Sequence, residues 1–152
     1  MAPYEGFFMI LTQATKRDLE EAAGNLSFAD LQEFHSHTSG RDPSETLPAC
    51  LDETTMVIKV GALVLAVGGS KNCLWFVTTN VVQSLTKGQR MRFYKLLHGH
   101  LKGLRDSGHQ YLTNFVSVDN WDHIRLLNSL GAVFAKEHTM SPAGCRFRQF
   151  WL

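Results

Sequence analysis

Apolar residues along this chain recur with two different periods. The β-branched and aromatic runs "TMVIKV", "ALVLAV", "CLWFVTT" and "YLTNFVSV" read as strands, whereas "KRDLEEAAG", "FADLQEFHSH", "KGQRMRFYKLLHGHLKGLRDSG" and "WDHIRLLNSL" read as helices. A first strand is expected from Phe7 to Thr12, inside "GFFMILTQAT". Thr15 is placed to cap the first helix, which stops at Gly24, and Ser27 to cap the second. Thr86 and Gln89 form a T-x-x-Q capping box ahead of the longest helix, where Tyr94, Leu97, Leu101 and Leu104 recur at helical spacing. The three strands between Thr55 and Thr79, hinged at Val60-Gly61 and turned at "GGSKN", predict an antiparallel meander. Gly131 stops the last helix, and two strands, "AVFAKEH" and "CRFRQFWL", follow it. The Pro-rich, acidic stretch "TSGRDPSETLPACLDE" reads as a mobile segment with one helical turn. This order predicts one α/β domain, and strand, long helix and strand across residues 73 to 118 form a βαβ crossover whose strands should run parallel.

Composition narrows the class without naming a function. Of 152 residues, 44% are hydrophobic and 19% charged, enough for one core and far from a disordered composition. The longest apolar stretch, "VGALVLAVGG", is about half of the roughly 20 residues that span a bilayer, and the N-terminus lacks a basic region followed by an apolar segment. No membrane insertion or secretion is therefore expected. Cys50, Cys73 and Cys145 are odd in number and never in a CxxC pair, which argues for a reducing cytoplasm and against a disulfide framework or zinc site. His35/His37 and His98/His100 are i, i+2 pairs that point to different helix faces, so no metal site is expected. Trp75, Trp121, Phe76, Phe115 and Phe134 read as core.

Net charge is +1, but residues 1 to 56 hold ten acids against three Lys/Arg, and the remainder is correspondingly basic. Such asymmetry implies two faces of one fold, or an acidic partner for the basic body. Lys87, Arg90, Arg92 and Lys95 cluster at the start of the long helix, where cations oppose the helix dipole. A bound anion would satisfy both those cations and the helix end; a solvated basic face is the plainer alternative.

The stretch "VDNWDHIRLLNSLGAVF" resembles the coenzyme-binding edge of GCN5-related N-acetyltransferases (GNAT), whose helix after the fifth strand has the form N-x-x-A-x-x-x-Y-x-x-x-G-F. Asn120 occupies the asparagine position and Gly131 the glycine position, with His123 in the alanine position and Leu127 in the tyrosine position. The resemblance implies a single GNAT-like domain over residues 1 to 152, of class α/β (α+β), with a central mixed β-sheet, a βαβ crossover and flanking helices. It also implies acetyl-CoA as cofactor, held by Val77, Gln83, Lys87, Gly88, Gln89, Arg90 and Asn120, and loss of the tyrosine that protonates the departing thiolate. The family's phosphate loop, Q/R-x-x-G-x-G/A, is represented only by Gln83 and Gly88 within "NVVQSLTKGQRMRF". Asp119 and His123 are the candidate catalytic residues, and Tyr94 and Ser129 the hydroxyls nearest in sequence to the missing tyrosine. If a cleft operates, Asn120 should lie on its rim with the loop from Val81 to Gly88.

"CLWFVTTNVVQSLTKGQRMRFYKLL" and "VSVDNWDHIRLLNSLGAVFAKEHT" resemble, in order and spacing, the internal virion protein A family of short-tailed lytic bacteriophages, itself acetyltransferase-like. That resemblance implies virion morphogenesis or host interaction, a phage structural or host protein as partner, and the host cytoplasm during infection or the virion as location. The alternative is an active acetyl-CoA-dependent N-acetyltransferase modifying a host or phage protein. A third function, nucleic-acid binding by residues 86 to 105 with six Lys/Arg and no acid, is disfavoured because exposed aromatics are not interleaved there and the chain is near neutral.

Overall fold

The structure, a computed structural model, describes residues 8–108 and 112–152. Strands β1 (Met9–Gln13), β2 (Met56–Val60), β3 (Leu63–Gly69) and β4 (Trp75–Thr78) pair in that order as one antiparallel half-sheet. A second half-sheet is built on β8 (Arg146–Trp151), which pairs antiparallel with β5 (Thr113–Ser117), β6 (Val133–Phe134) and β7 (Thr139–Met140). Five helices flank them: α1 (Lys16–Ala23), α2 (Phe28–His37), α3 (Pro43–Ala49), α4 (Lys87–Asp106) and α5 (Trp121–Ser129). No helix among the described residues is long and apolar enough to cross a membrane.

The predicted α/β class and the crossover through α4 are what form, but the sheet is divided. Leu74 N–H donates to the Thr113 carbonyl (3.1 Å) and the Asn114 amide to the Leu74 carbonyl (2.9 Å), joining β4 to β5 where both strands begin. Beyond that point no ladder pairs them among the described residues. The expected continuous mixed sheet is therefore two antiparallel halves touching at one end.

Strand alternation sends side chains into two cores. Ile58, Leu65, Phe76, Val116 and Phe150 face α4 and α5, where Phe93, Leu97, Leu101, Leu127 and Leu130 meet them. Val57, Val64 and Val67 face the other way, against Leu19, Ala22, Leu26, Phe34 and Leu47 of the N-terminal helices. The register between β2 and β3 slips between Ile58 and Lys59, leaving Leu65 as the extra residue of a β-bulge. Its carbonyl is then taken by the Thr79 amide at 2.9 Å. Gly68 is required by contact: a Cβ there would stand 2.5 Å from the Trp75 carbonyl oxygen.

The caps fall where the sequence places them. Thr15 with Asp18, and Thr86 with Gln89, form reciprocal capping boxes, and Ser27 accepts from the Asp30 amide. Gly131, at φ 91°, follows α5 in a conformation that L side chains rarely adopt. Other expectations change. The stretch expected to be mobile forms α3, with Pro43 at its start, because Leu47 in it is buried in the second core. "AVFAKEH" keeps only the two-residue β6, and Trp121 and Phe115, expected in the core, are exposed. Phe7 and Tyr111, assigned to strands from sequence, lie outside the described residues.

Asp18 is a buried acid of the N-terminal layer. Burial pushes its carboxyl up, but the Lys59 ammonium at 2.8 Å and the Thr15 amide and hydroxyl outweigh that and hold it below its ordinary 3.8. A lowered folded value means the contribution is complete above pH 3.8 and is lost as pH falls through the lowered value. Asp18→Asn is expected to cost roughly 1–3 kcal/mol at neutral pH and to flatten the acid limb of stability; urea midpoints at neutral and acid pH check both.

Candidate functional site

α2 and α5 meet over the gap between the half-sheets, and each presents an i, i+3 pair to the other: Asp30 and Glu33 from α2, Asn120 and His123 from α5. Asn120 caps α5 by accepting from the His123 amide (3.2 Å), and its own amide donates to Asp30 Oδ1 (3.0 Å) and Glu33 Oε1 (3.4 Å). Asp30 Oδ2 accepts from the Thr78 amide (2.8 Å) and hydroxyl (3.0 Å) at the end of β4. Glu33 Oε1 accepts from the Ser117 amide (2.7 Å) at the end of β5. His123 places Nδ1 3.6 Å from Asp30 Oδ1, its ring 4.6 Å from that of Phe76, and its Nε2 is buried without a hydrogen-bond partner.

Burial alone would drive both carboxyls toward the neutral form. For Asp30 the facing His123, then the Thr78 and Asn120 amides, outweigh that effect and bring the carboxyl down to about 2. For Glu33 burial dominates, reinforced by the Asp30 charge, and its value is raised despite His123 and Ser117. Burial lowers His123 in the same way, but Asp30 and Glu33 more than compensate and its value is raised. The network thus sets an aspartate held well below its ordinary range beside a glutamate and an imidazole both raised above theirs.

Three cavities surround this network. One of about 430 Å³ lies between α2, β4 and the start of α4 and is lined by Asp30, Thr78, Gln83, Arg90, Tyr94 and His123 among others. A second, about 410 Å³, opens into the gap and is lined by Glu33, Trp75, Val77, Phe115, His123 and Phe147 among others. Phe76 and His123 are common to both and form the partition between them. The third, about 660 Å³, is a groove between α2 and α5 that holds Asp119 and Asn120, with Phe28 and Trp121 exposed beside it.

The residues expected to hold coenzyme are therefore dispersed. Gln83 and Arg90 line the first cavity and Val77 the second. Asn120 is buried and lines neither, so it is not on a shared rim with the loop from Val81 to Gly88. Of the two candidate catalytic residues, His123 is at the centre and Asp119 is exposed on the separate groove. Lys87, Gly88 and Gln89 begin α4 and line none of these cavities. Asp30 and Glu33, which sequence reasoning passed over, carry the charge of the site. Their spacing on a helix beside a capping serine was the available signal.

The loop before α4 spends several of its amides internally. It winds into a 3₁₀ helix, Asn80–Ser84, anchored by buried Val81 and Leu85. The amides of Val81, Val82 and Leu85 go to Thr79 Oγ1, the Thr79 carbonyl and the Val82 carbonyl, and the Gln89 amide to Thr86 Oγ1. Arg90 folds back so that Nη2 donates to the Gln83 carbonyl at 2.9 Å. Phosphate cradles need such amides unspent. In the tyrosine position Leu127 is fully buried, and the Tyr94 hydroxyl, which does reach the first cavity, donates to the Ser129 carbonyl at 2.7 Å.

The half-sheets, crossover helix and capping helices define an acetyltransferase-type architecture. YncA of Salmonella typhimurium, solved with its cofactor acetyl-CoA, superposes with a TM-score of 0.64 over 93% of this chain and 91% of that one, at 15% identity. The ribosomal-protein-S18-alanine N-acetyltransferase of Escherichia coli gives 0.60 over 94% and 91%, also at 15%, and an N-acetyltransferase of Staphylococcus aureus Mu50 gives 0.62 over 94% and 96%, at 14%. At such identities the likeness is one of fold. Residues 54–139 match the family described as bacteriophage T7, probable scaffold protein Gp13, and the chain belongs to that family. The probable scaffold protein gp13 of Escherichia phage T7 is 38% identical over 78 residues, 49% of this chain and 54% of that protein, so the match spans about half of the relative.

Asn120→Ala removes a helix cap and strips Asp30 and Glu33 of a shared donor. It is expected to lower the free energy of unfolding by roughly 1–3 kcal/mol, whereas exposed Gln83→Ala should stay within about 0.5 kcal/mol of the parent. Equilibrium denaturation of the two variants tests whether Asn120 is a structural residue.

Proposed function

We propose that this chain is a virion-morphogenesis protein of a bacteriophage that keeps an acetyltransferase architecture for binding other proteins, with transfer chemistry lost. The observation that supports this reading is the wound 3₁₀ loop, in which the amides of Val81, Val82 and Leu85 are spent internally. Family membership supplies the biological setting, with phage structural proteins as partners. The internal virion protein resemblance fits the same setting and refines it to a component packaged with, or assembled inside, the particle in the host cytoplasm. Phe28 and Trp121, 71% and 68% exposed on either side of the α2–α5 groove, suit a protein contact, since aromatic side chains anchor interfaces.

A second reading, an acetyl-CoA-dependent N-acetyltransferase, rests on the cavity lined by Gln83, Arg90, Tyr94 and His123. Without a phosphate cradle the coenzyme is not oriented, and orientation can supply roughly 7–11 kcal/mol of the barrier lowering. His123 would then act as base and Arg90 as the phosphate contact.

Calorimetric titration with acetyl-CoA separates the two. The expected result is no saturable heat from the parent chain or from Arg90→Ala. Micromolar binding by the parent that Arg90→Ala abolishes would establish the second reading. In a phage deprived of this chain, Trp121→Asp is expected to reduce the yield of complete particles, while Arg90→Ala should restore it as well as the parent does.

A further inference from the structure

His123 presents a problem that hydrogen bonding within the network does not solve. Its side chain is 10% exposed, yet Nδ1 stands 3.6 Å from Asp30 Oδ1, beyond an ordinary hydrogen bond, and Nε2 has no partner. A native core seldom holds an imidazole without a full-strength bond from either nitrogen, a water or an ion being the usual explanation, and an ion at Nδ1 would supply one such bond. The neighbours supply the rest of a ligand set. One ligand atom each from Asp30, Glu33 and His123 lie within 4.8 Å of one another.

The separation suits coordination. Two ligands at about 2.0–2.1 Å from a tetrahedral ion stand about 3.3–3.4 Å apart, close to the observed Nδ1 to Oδ1 distance. The carboxylates are already oriented from outside. Thr78 holds Asp30 Oδ2, Asn120 holds Oδ1, the oxygen facing the imidazole, and Ser117 and Asn120 hold Glu33 Oε1. Such outer-shell bonds are what fix metal-ligating carboxylates in place. All three cavities reach the cluster, so an ion and a completing water have a route in.

We propose that Asp30, Glu33 and His123 form a binding site for a divalent ion of the zinc type, with one nitrogen and two carboxylate oxygen donors and water as the fourth ligand. The ion enters as a dication. The imidazole binds through an unprotonated Nδ1 with its one proton on Nε2, and any second ring proton and any proton on Glu33 leave to solvent, so two carboxylates and a neutral imidazole balance its charge. Its place in the fold is that of a cross-link between α2 and α5 over the unpaired part of the β4–β5 boundary. It is independent of whether the chain binds coenzyme.

The test is titration of the chelator-treated full chain with ZnCl₂ and CoCl₂, followed by thermal unfolding and visible absorption. The expected result is a rise in Tm that saturates at one equivalent, with absorption bands of four-coordinate Co²⁺. Affinity should fall at least roughly tenfold in His123→Gln and in Glu33→Gln, and should be unchanged in His35→Asn/His98→Asn. Glu33→Gln, which keeps shape and hydrogen bonding, decides the matter if His123→Gln does not fold. No shift in Tm with either metal, or a shift that survives Glu33→Gln but is lost in the His35/His98 variant, overturns the proposal.

Discussion

Two carboxylates one helical turn apart cannot be carried into a protein interior without donors and a compensating charge, and Asp30 and Glu33 impose that demand on everything around them. Their partners come from four places in the chain: Thr78 at the end of β4, Ser117 at the end of β5, and Asn120 and His123 on α5. Among the described residues the two half-sheets share backbone bonding only near Leu74 and Thr113, and this polar cluster ties their far ends together. Removing one member of such a set leaves the others buried and unpaired, which is costlier than the net worth of any single bond.

The same cluster governs what chemistry the fold can host. His123 and Phe76 stand as a wall between the cavity beside α4 and the cavity in the gap. The loop before α4 winds into a 3₁₀ helix that buries Val81 and Leu85 in the core. Leu127 in place of a tyrosine follows the same logic, adding apolar volume where α5 meets the sheet. At both positions the fold presents packed apolar side chains. Fold and chemistry are separable in this way because a scaffold's core and its site answer to different residues.

The surface carries the complementary lesson. Trp121 and Phe28 are the first residues of α5 and α2, and both helices direct them outward because the capping residues just before them, Asn120 and Ser27, are the ones turned inward. Two helix starts meeting at one groove place these aromatic groups on the outside without enlarging the core.

Much of the fold was legible in the chain. Periodicity located the helices and the meander, and local chemistry placed Thr15, Ser27, Thr86 and Gly131 at element ends, since a cap depends on residues three or four positions away. The site was legible only in part: Asn120 and His123 could be singled out by resemblance, but not the partners that decide what they do. Asp30 meets Asn120 across 90 residues of sequence, and no local pattern marks such a pair, so Asn120 read as a coenzyme ligand and is found as a buried cap and donor. Packing also decided that the acidic Pro-rich stretch would fold as α3 and that Phe115 and Trp121 would face solvent. Burial depends on what lies on the far side of a side chain. The sequence by itself determined which segments are helix or strand and where they stop; the tertiary structure decided which polar groups are shut away together, and so what the site can bind.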